Sequence, residues 1–151
     1  SQKILMKITL SGSLAFTKEI KELAEELEKM GHQVTLPKTS QDIIKNKVTF
    51  EEIMKEKLDG RIIKRGIKID AIRKYYHKIK DSDALLVVNI DKNTIRNYIG
   101  GATLIEMGFA HALEKRLFLL NDIPEMSYTD EIKIMNPTVL KGNLDKITKK
   151  E

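Results

Sequence analysis

The first 37 residues constrain the architecture most, because they run strand, glycine turn, helix, strand. Ile4 to Leu10 (ILMKITL) is a short, mostly apolar run rich in β-formers, the pattern of an interior parallel strand. Ser11-Gly12-Ser13 breaks it. From Phe16 to Met30 the apolar positions Ile20, Leu23, Ala24, Leu27 and Met30 recur at helical spacing, and Gly31 supplies the stop. Gln33 to Leu36 is a second strand, ended by Pro37. Two strands joined through a helix lie parallel, with the helix on one face of the sheet.

The alternation continues. Thr39 to Gly60 reads as polar and helical, with Phe50, Ile53, Met54 and Leu58 as its apolar stripe. It is longer than an ordinary crossover, so the stretch around 39–68 is expected to be a helical insertion able to cover a site. Ile69 to Lys80 is another amphipathic helix. Asp83 then precedes Ala84 to Asn89 (ALLVVN), the strongest strand signal in the chain. A loop over 90–99 leads through Gly100-Gly101 into a helix from Ala102 to about Glu114. Leu117 to Leu120 is a further strand, and Thr138 to Leu140 a last edge strand beyond Pro124 and Pro137. The expectation is one α/β domain over residues 1–151, Rossmann-like, with a five-stranded parallel sheet in the flavodoxin-like order 2-1-3-4-5 and helices on both faces. Ligands of such sheets sit at the carboxyl ends of the strands, which points to Ser11 to Phe16, Asn89 to Thr103 and the loop after Leu120.

A chain of 151 residues is long enough for one domain that buries roughly two thirds of its unfolded surface. No run approaches the ~18 apolar residues of a membrane span, and the apolar start is too short for a signal peptide. With no cysteine there are no disulfides, thiolate metal sites or cysteine nucleophile, which fits a reducing cytoplasm. The net charge of +5 is concentrated: eight Lys or Arg lie between Arg61 and Lys80 against the single Asp70. A solvated helix face accounts for that stretch most simply; a phosphate-directing surface or a nucleic-acid contact are the other readings.

One carboxylate stands apart. Ala102 to Leu113 reads ATLIEMGFAHAL; in a chain that is 32% charged, twelve residues should carry about four charges, and this stretch carries Glu106 alone. Its helical neighbours Ala102, Thr103, Phe109 and Ala110 offer no cation, so no local ion pair explains it. A carboxylate in apolar surroundings is unfavourable unless distant groups partner it, and its pKa should rise. Either Glu106 lies on a narrow open stripe or pairs with a distant lysine, or it belongs to a functional site. His111, near Lys115, reads as a partly exposed helix residue. Gly100-Gly101 either gives the helix a flexible entry or lets a ligand approach the backbone, beside Thr103. Gly12 and Ser13 either form a plain turn or contact phosphate or ribose. Asn89 ends the central strand, as a turn former or as an amide facing ligand.

Three segments together carry a resemblance: strand–GS–helix over Ile8 to Ile20, SDALLVVN at Ser82 to Asn89, and YIGGATLIEMGFAHALEKRLFLL at Tyr98 to Leu120. The chain resembles the nucleoside 2-deoxyribosyltransferase-like family, which includes the 2'-deoxynucleoside 5'-phosphate N-hydrolases. The likeness covers most of the sequence except Thr39 to Lys68 and the tail after Asn121, and is sharpest over Ala102 to Glu106 with Gly108 and Ala110. It implies that Glu106 is a nucleophile toward the anomeric carbon of a sugar, that no cofactor or metal is needed, and that subunits associate as a homodimer or larger homo-oligomer. Where the family carries an aspartate eight residues before Asp83, this chain has Tyr75. Where transferases carry one six residues before the nucleophile, it has Gly100, and at the first strand's exit Leu10-Ser11 replace a tyrosine. Asp70, Asp91 and His77 are then the candidates for the acid partner. The expected function is cleavage or transfer at the N-glycosidic bond of a nucleoside or nucleoside 5'-monophosphate. A nucleotide-binding or sensor domain without turnover is the alternative.

Overall fold

The structure is a computed structural model and describes residues 5–147. Ile4, with which the first expected strand begins, lies outside them. Five strands, β1 (Lys7–Ser11), β2 (Gln33–Thr35), β3 (Ala84–Val87), β4 (Arg116–Leu119) and β5 (Thr138–Val139), form one sheet in the order β2-β1-β3-β4-β5. Every pairing is parallel. The register aligns Ser11 of β1 with Val87 of β3, and Val87 with Leu119 of β4. The strand ends that matter for a site therefore finish side by side.

The continuous apolar run of β3 is explained by burial on both faces. Ala84, Leu86 and Val88 pack on one side with Ile8, Leu10, Ile20, Leu27 and Phe118, under α1 (Thr17–Lys29). Leu85 and Val87 pack on the other with Ile79, Met107, Ala110 and Ile132. Those four come from α5 (Ala71–Lys80), α6 (Gly101–Ala112) and α7 (Thr129–Ile134). An interior parallel strand has no solvent face, so alternation is absent from its sequence.

The insertion differs from the single stretch expected over Thr39 to Gly60. It is three short helices, α2 (Lys38–Ile44), α3 (Phe50–Asp59) and α4 (Arg61–Ile69). Gly60 at φ +81° ends α3 and lets α4 turn back beside it. The Arg65 guanidinium grips the Glu56 carboxylate through two hydrogen bonds of 2.7 and 2.6 Å, which ties α4 to α3. Leu58, read as part of the α3 stripe, is 90% exposed; Ile53 and half-buried Phe50 and Met54 form the covered face. The helix read from Ile69 begins at Ala71, because Asp70 takes a left-handed conformation (φ 54°) and separates α4 from α5. The basic stretch is thereby divided between two helices, with Arg61 paired to Asp59, Arg65 to Glu56 and Arg73 to Asp70. No helix of the described residues is long and apolar enough to cross a membrane.

Candidate functional site

α6 lays Thr103, Met107 and Ala110 against the core and leaves Gly101, Ala102, Ile105, His111 and Ala112 open. The helix is thus apolar without being enclosed all round. Glu106 stands at the boundary of these faces and turns toward the exit of β1. There the Ser11 hydroxyl donates a hydrogen bond to Glu106 Oε1. Ser11 is fully buried. Burial pushes the Glu106 carboxyl up to about 7, against which the Ser11 hydrogen bond works in the opposite direction. No cation contributes. The carboxyl therefore stands at the carboxyl end of the central strands with no charge partner among the described residues.

Tyr75 of α5 borders the same corner. Its hydroxyl donates to the backbone carbonyl of Leu10, the residue before Ser11. Burial, and then the negative charge of Glu106, hold the phenol protonated well above its ordinary range. Tyr75 thus sets an uncharged hydroxyl, engaged with backbone, beside the Glu106 carboxyl. Ser11 opens the Ser11 to Phe16 stretch that the strand ends pointed to, whereas Tyr75 was missed as a site residue, since nothing in the α5 pattern distinguishes it from core.

The turn after β1 is shaped by close packing. A Cβ on Gly12 would lie 3.0 Å from the Val88 carbonyl oxygen, so only glycine allows the two strand exits to approach this closely. Ser13 caps the following single 3-10 turn by accepting from Ala15 N–H at 3.3 Å. Its hydroxyl also receives a hydrogen bond of 2.9 Å from Lys92 Nζ, and that ammonium lies 4.9 Å from the centroid of the Tyr98 ring. A Cβ on Gly100 would meet the Tyr98 ring at 3.2 Å, so Gly100 makes room for the ring. Gly101 begins α6 in open space, and Thr103, two residues on, is buried.

Four expected residues have other work. Asn89 is fully buried; its amide donates to the carbonyls of Asn121 and Asp122 and accepts from Asn121 N–H, each at 3.0 Å. It clamps the exits of β3 and β4 together. Asp70 makes two hydrogen bonds of 2.9 and 2.8 Å to exposed Arg73. Asp91 is exposed and accepts from Asn97 N–H at 3.0 Å, closing its own loop. His77, exposed on α5, packs edge-on against Tyr76. The structure brings Glu106 together with Ser11, the Gly12 turn and Tyr75, and assigns neither aspartate to that group.

Two surface depressions of about 460 Å³ lie elsewhere, one lined by Leu23 and Glu26 of α1 with Met30 just beyond it, the other by Pro124, Met126 and Lys133. Neither is lined by Glu106 or Ser11. No protein-family model matches this sequence, and no curated protein matches it either.

Proposed function

We propose that this protein cleaves, or transfers at, the N-glycosidic bond of a nucleoside or nucleoside 5'-monophosphate, with Glu106 as the nucleophile. The observation that carries the reading is a partly enclosed carboxyl without a cation, held by the Ser11 hydroxyl at the carboxyl ends of parallel strands. Perturbed carboxyls in such positions are functional candidates, and the likeness to the nucleoside 2-deoxyribosyltransferase-like family points to the chemistry. In that chemistry a carboxylate oxygen bonds to the anomeric carbon as the carbon–nitrogen bond breaks, with its electron pair leaving on the base, which takes up a proton from solvent water. The positive charge developing on the sugar is stabilised by the carboxylate beside it. Water or a second base then takes the sugar and restores the carboxylate. The same likeness supports a homodimer or larger assembly.

A binding or sensor domain of the same fold is the second reading. It is favoured by the engagement of Asp70 with Arg73 and of Asp91 with its own loop, and by the uncharged Tyr75 beside Glu106. The deciding experiment incubates the protein with the common nucleosides and their 5'-monophosphates and separates the products by chromatography for free base. Release of base by the wild type and its loss in Glu106→Gln supports catalysis. Binding of nucleotides without release from any of them overturns it in favour of the sensor.

A further inference from the structure

The ladder between β1 and β2 leaves the Leu10 carbonyl without a donor from the sheet. Successive carbonyls of a strand point to opposite neighbours. Those of Lys7 and Ser11 face β3, where they accept from the N–H groups of Asp83 at 2.8 Å and Val88 at 2.7 Å, and that of Met6 faces β2, where it accepts from Gln33 at 2.9 Å. Leu10 therefore faces β2. In a parallel pair each carbonyl bonds to the N–H one residue beyond its partner, as Ser11, paired with Val87, does with Val88. The register sets Thr9 against Thr35, and continued by one step it sets Leu10 against Leu36. The residue beyond is Pro37, which has no N–H.

A side chain from another layer supplies the missing donor. Tyr75 of α5, buried in one cluster with Leu85, Val87 and Met107, gives its hydroxyl proton to the Leu10 carbonyl. A buried carbonyl without a donor is unfavourable, which holds the phenol in place. The Leu10 carbonyl and the Ser11 N–H belong to one planar peptide. The hydroxyl that fixes this plane also fixes the direction in which the Ser11 side chain leaves the backbone. Ser11, fully buried, is the residue bonded to Glu106. The elements packed on α6 bring no charge to that carboxyl. β3 has no titratable side chain, and β4 has Arg116 at its far end, over the Phe118 ring. On α5, Tyr76 packs edge-on against Phe109, and Arg73, Lys74, His77, Lys78 and Lys80 are exposed.

We infer that Tyr75 is a positioning residue of the Glu106 corner: through the Leu10–Ser11 peptide it keeps the Ser11 hydroxyl aimed at the carboxyl. It acts through Ser11 and not on Glu106 itself. A phenylalanine in its place fills the same space and loses the first link, so the peptide can tilt and the Ser11 bond is made less of the time. That bond favours the ionised carboxyl, and loosening it raises the pH at which Glu106 ionises. The inference rests on Glu106 being the acting group, as proposed above, but its test reads the carboxyl directly and does not require turnover.

The test is a magnetic-resonance titration of the Glu106 carboxyl carbon in protein carrying isotope-labelled glutamate, with the signal assigned by its loss in Glu106→Gln. Wild type, Tyr75→Phe, Ser11→Ala and the double variant are compared. Tyr75→Phe should raise the midpoint by about 0.4 to 1 pH unit, the scale of one neutral hydrogen bond. In the Ser11→Ala background the same change should move it no further. Tyr75→para-aminophenylalanine keeps a weaker donor at the tip of the ring and should give a smaller upward shift; it decides the matter if Tyr75→Phe does not fold. An unmoved midpoint in the Tyr75 variants overturns the inference. A downward shift, or one of equal size without Ser11, also overturns it, since the phenol would then act on the carboxyl directly. An upward shift that needs Ser11, in a protein that releases no base, supports the positioning role and removes only the catalytic reading. Its absence in a protein that does release base removes the positioning role alone.

Discussion

Ser11, the last residue of β1, donates its hydroxyl to the carboxyl of Glu106 across 95 residues of sequence. This bond and burial act on the carboxyl in opposite directions, and burial prevails, leaving it at about 7. The unfolded chain holds the same group near 4.5. Between those values the folded state binds more protons than the unfolded state, so the contribution of Glu106 to stability is fully present below about 4.5 and declines as pH rises through 7. The decline is at most about 3 kcal/mol, and less to the extent that the residue is open to solvent. Urea denaturation of the wild type at pH 5 and pH 8 should show the fall, and Glu106→Gln should lack it and be the more stable protein at pH 8. A pH dependence shared equally by Glu106→Gln would assign it to other groups.

Activity should run the other way. A nucleophile must be ionised, so kcat/KM should rise with pH through about 7. Ser11→Ala removes the one hydrogen bond that favours the ionised form. The ascending limb of the profile should then move about one to two pH units upward, from the ~1.5–3 kcal/mol of a hydrogen bond to a charged group. Rates at high pH should recover in the variant. A uniform loss of rate with an unmoved limb would mean that Ser11 positions the sugar without tuning the carboxyl.

The sheet was legible in the sequence because an interior parallel strand leaves a strong mark: ALLVV has no solvent face, and the helices on each side of it carry their own periodicity. The alternation of elements implied a parallel sheet, and the flavodoxin-like order chosen for it is the one the structure has. The insertion was less legible, since α3 and α4 gain part of their stability from the Arg65–Glu56 pair, whose partners no local pattern links, and since Leu58 fits the helical stripe yet stays exposed. Glu106 stood out because a missing charge pattern is itself a signal. Its neighbours did not. Asn89, Asp70 and Asp91 have the right chemistry for a site, and only tertiary geometry reveals that each is engaged with backbone or an arginine.

Asn89 gives a test of that division between structural and ligand-contacting groups. Its side chain makes three hydrogen bonds that join the ends of β3 and β4, and Asn121 returns a fourth to the Asn89 carbonyl at 3.0 Å. Asn89→Ala removes the first three and leaves their backbone partners unsatisfied. The expected cost is about 2–4 kcal/mol, read from urea or thermal denaturation. Were Asn89 instead a contact to substrate, the variant would keep its stability and lose nucleotide affinity.

The open apolar residues bear on assembly. Ile63 and Ile67 lie one turn apart on α4, at 65% and 75% exposure, while Ile72 on α5 and Ile105 on α6 are 58% and 44% exposed. α4 packs on α5 and α5 on α6, so these side chains come from successive packed helices. Residues of this kind scattered singly are ordinary, but four on adjoining helices form a surface that association would cover. The expected outcome is a homodimer, with a solution mass by light scattering of twice the 17.3 kDa chain. A two-fold interface sets a patch against its own copy, so a lysine introduced there meets another lysine. Ile67→Lys combined with Ile72→Lys should return the mass to that of the single chain. Being surface changes, the two should alter stability by only about 0.5 kcal/mol each apart from the lost association, so a melting transition in the variant excludes unfolding as the cause. A wild type that stays monomeric at high concentration would leave the α4–α6 surface without this partner and the likeness to an oligomeric family without this support.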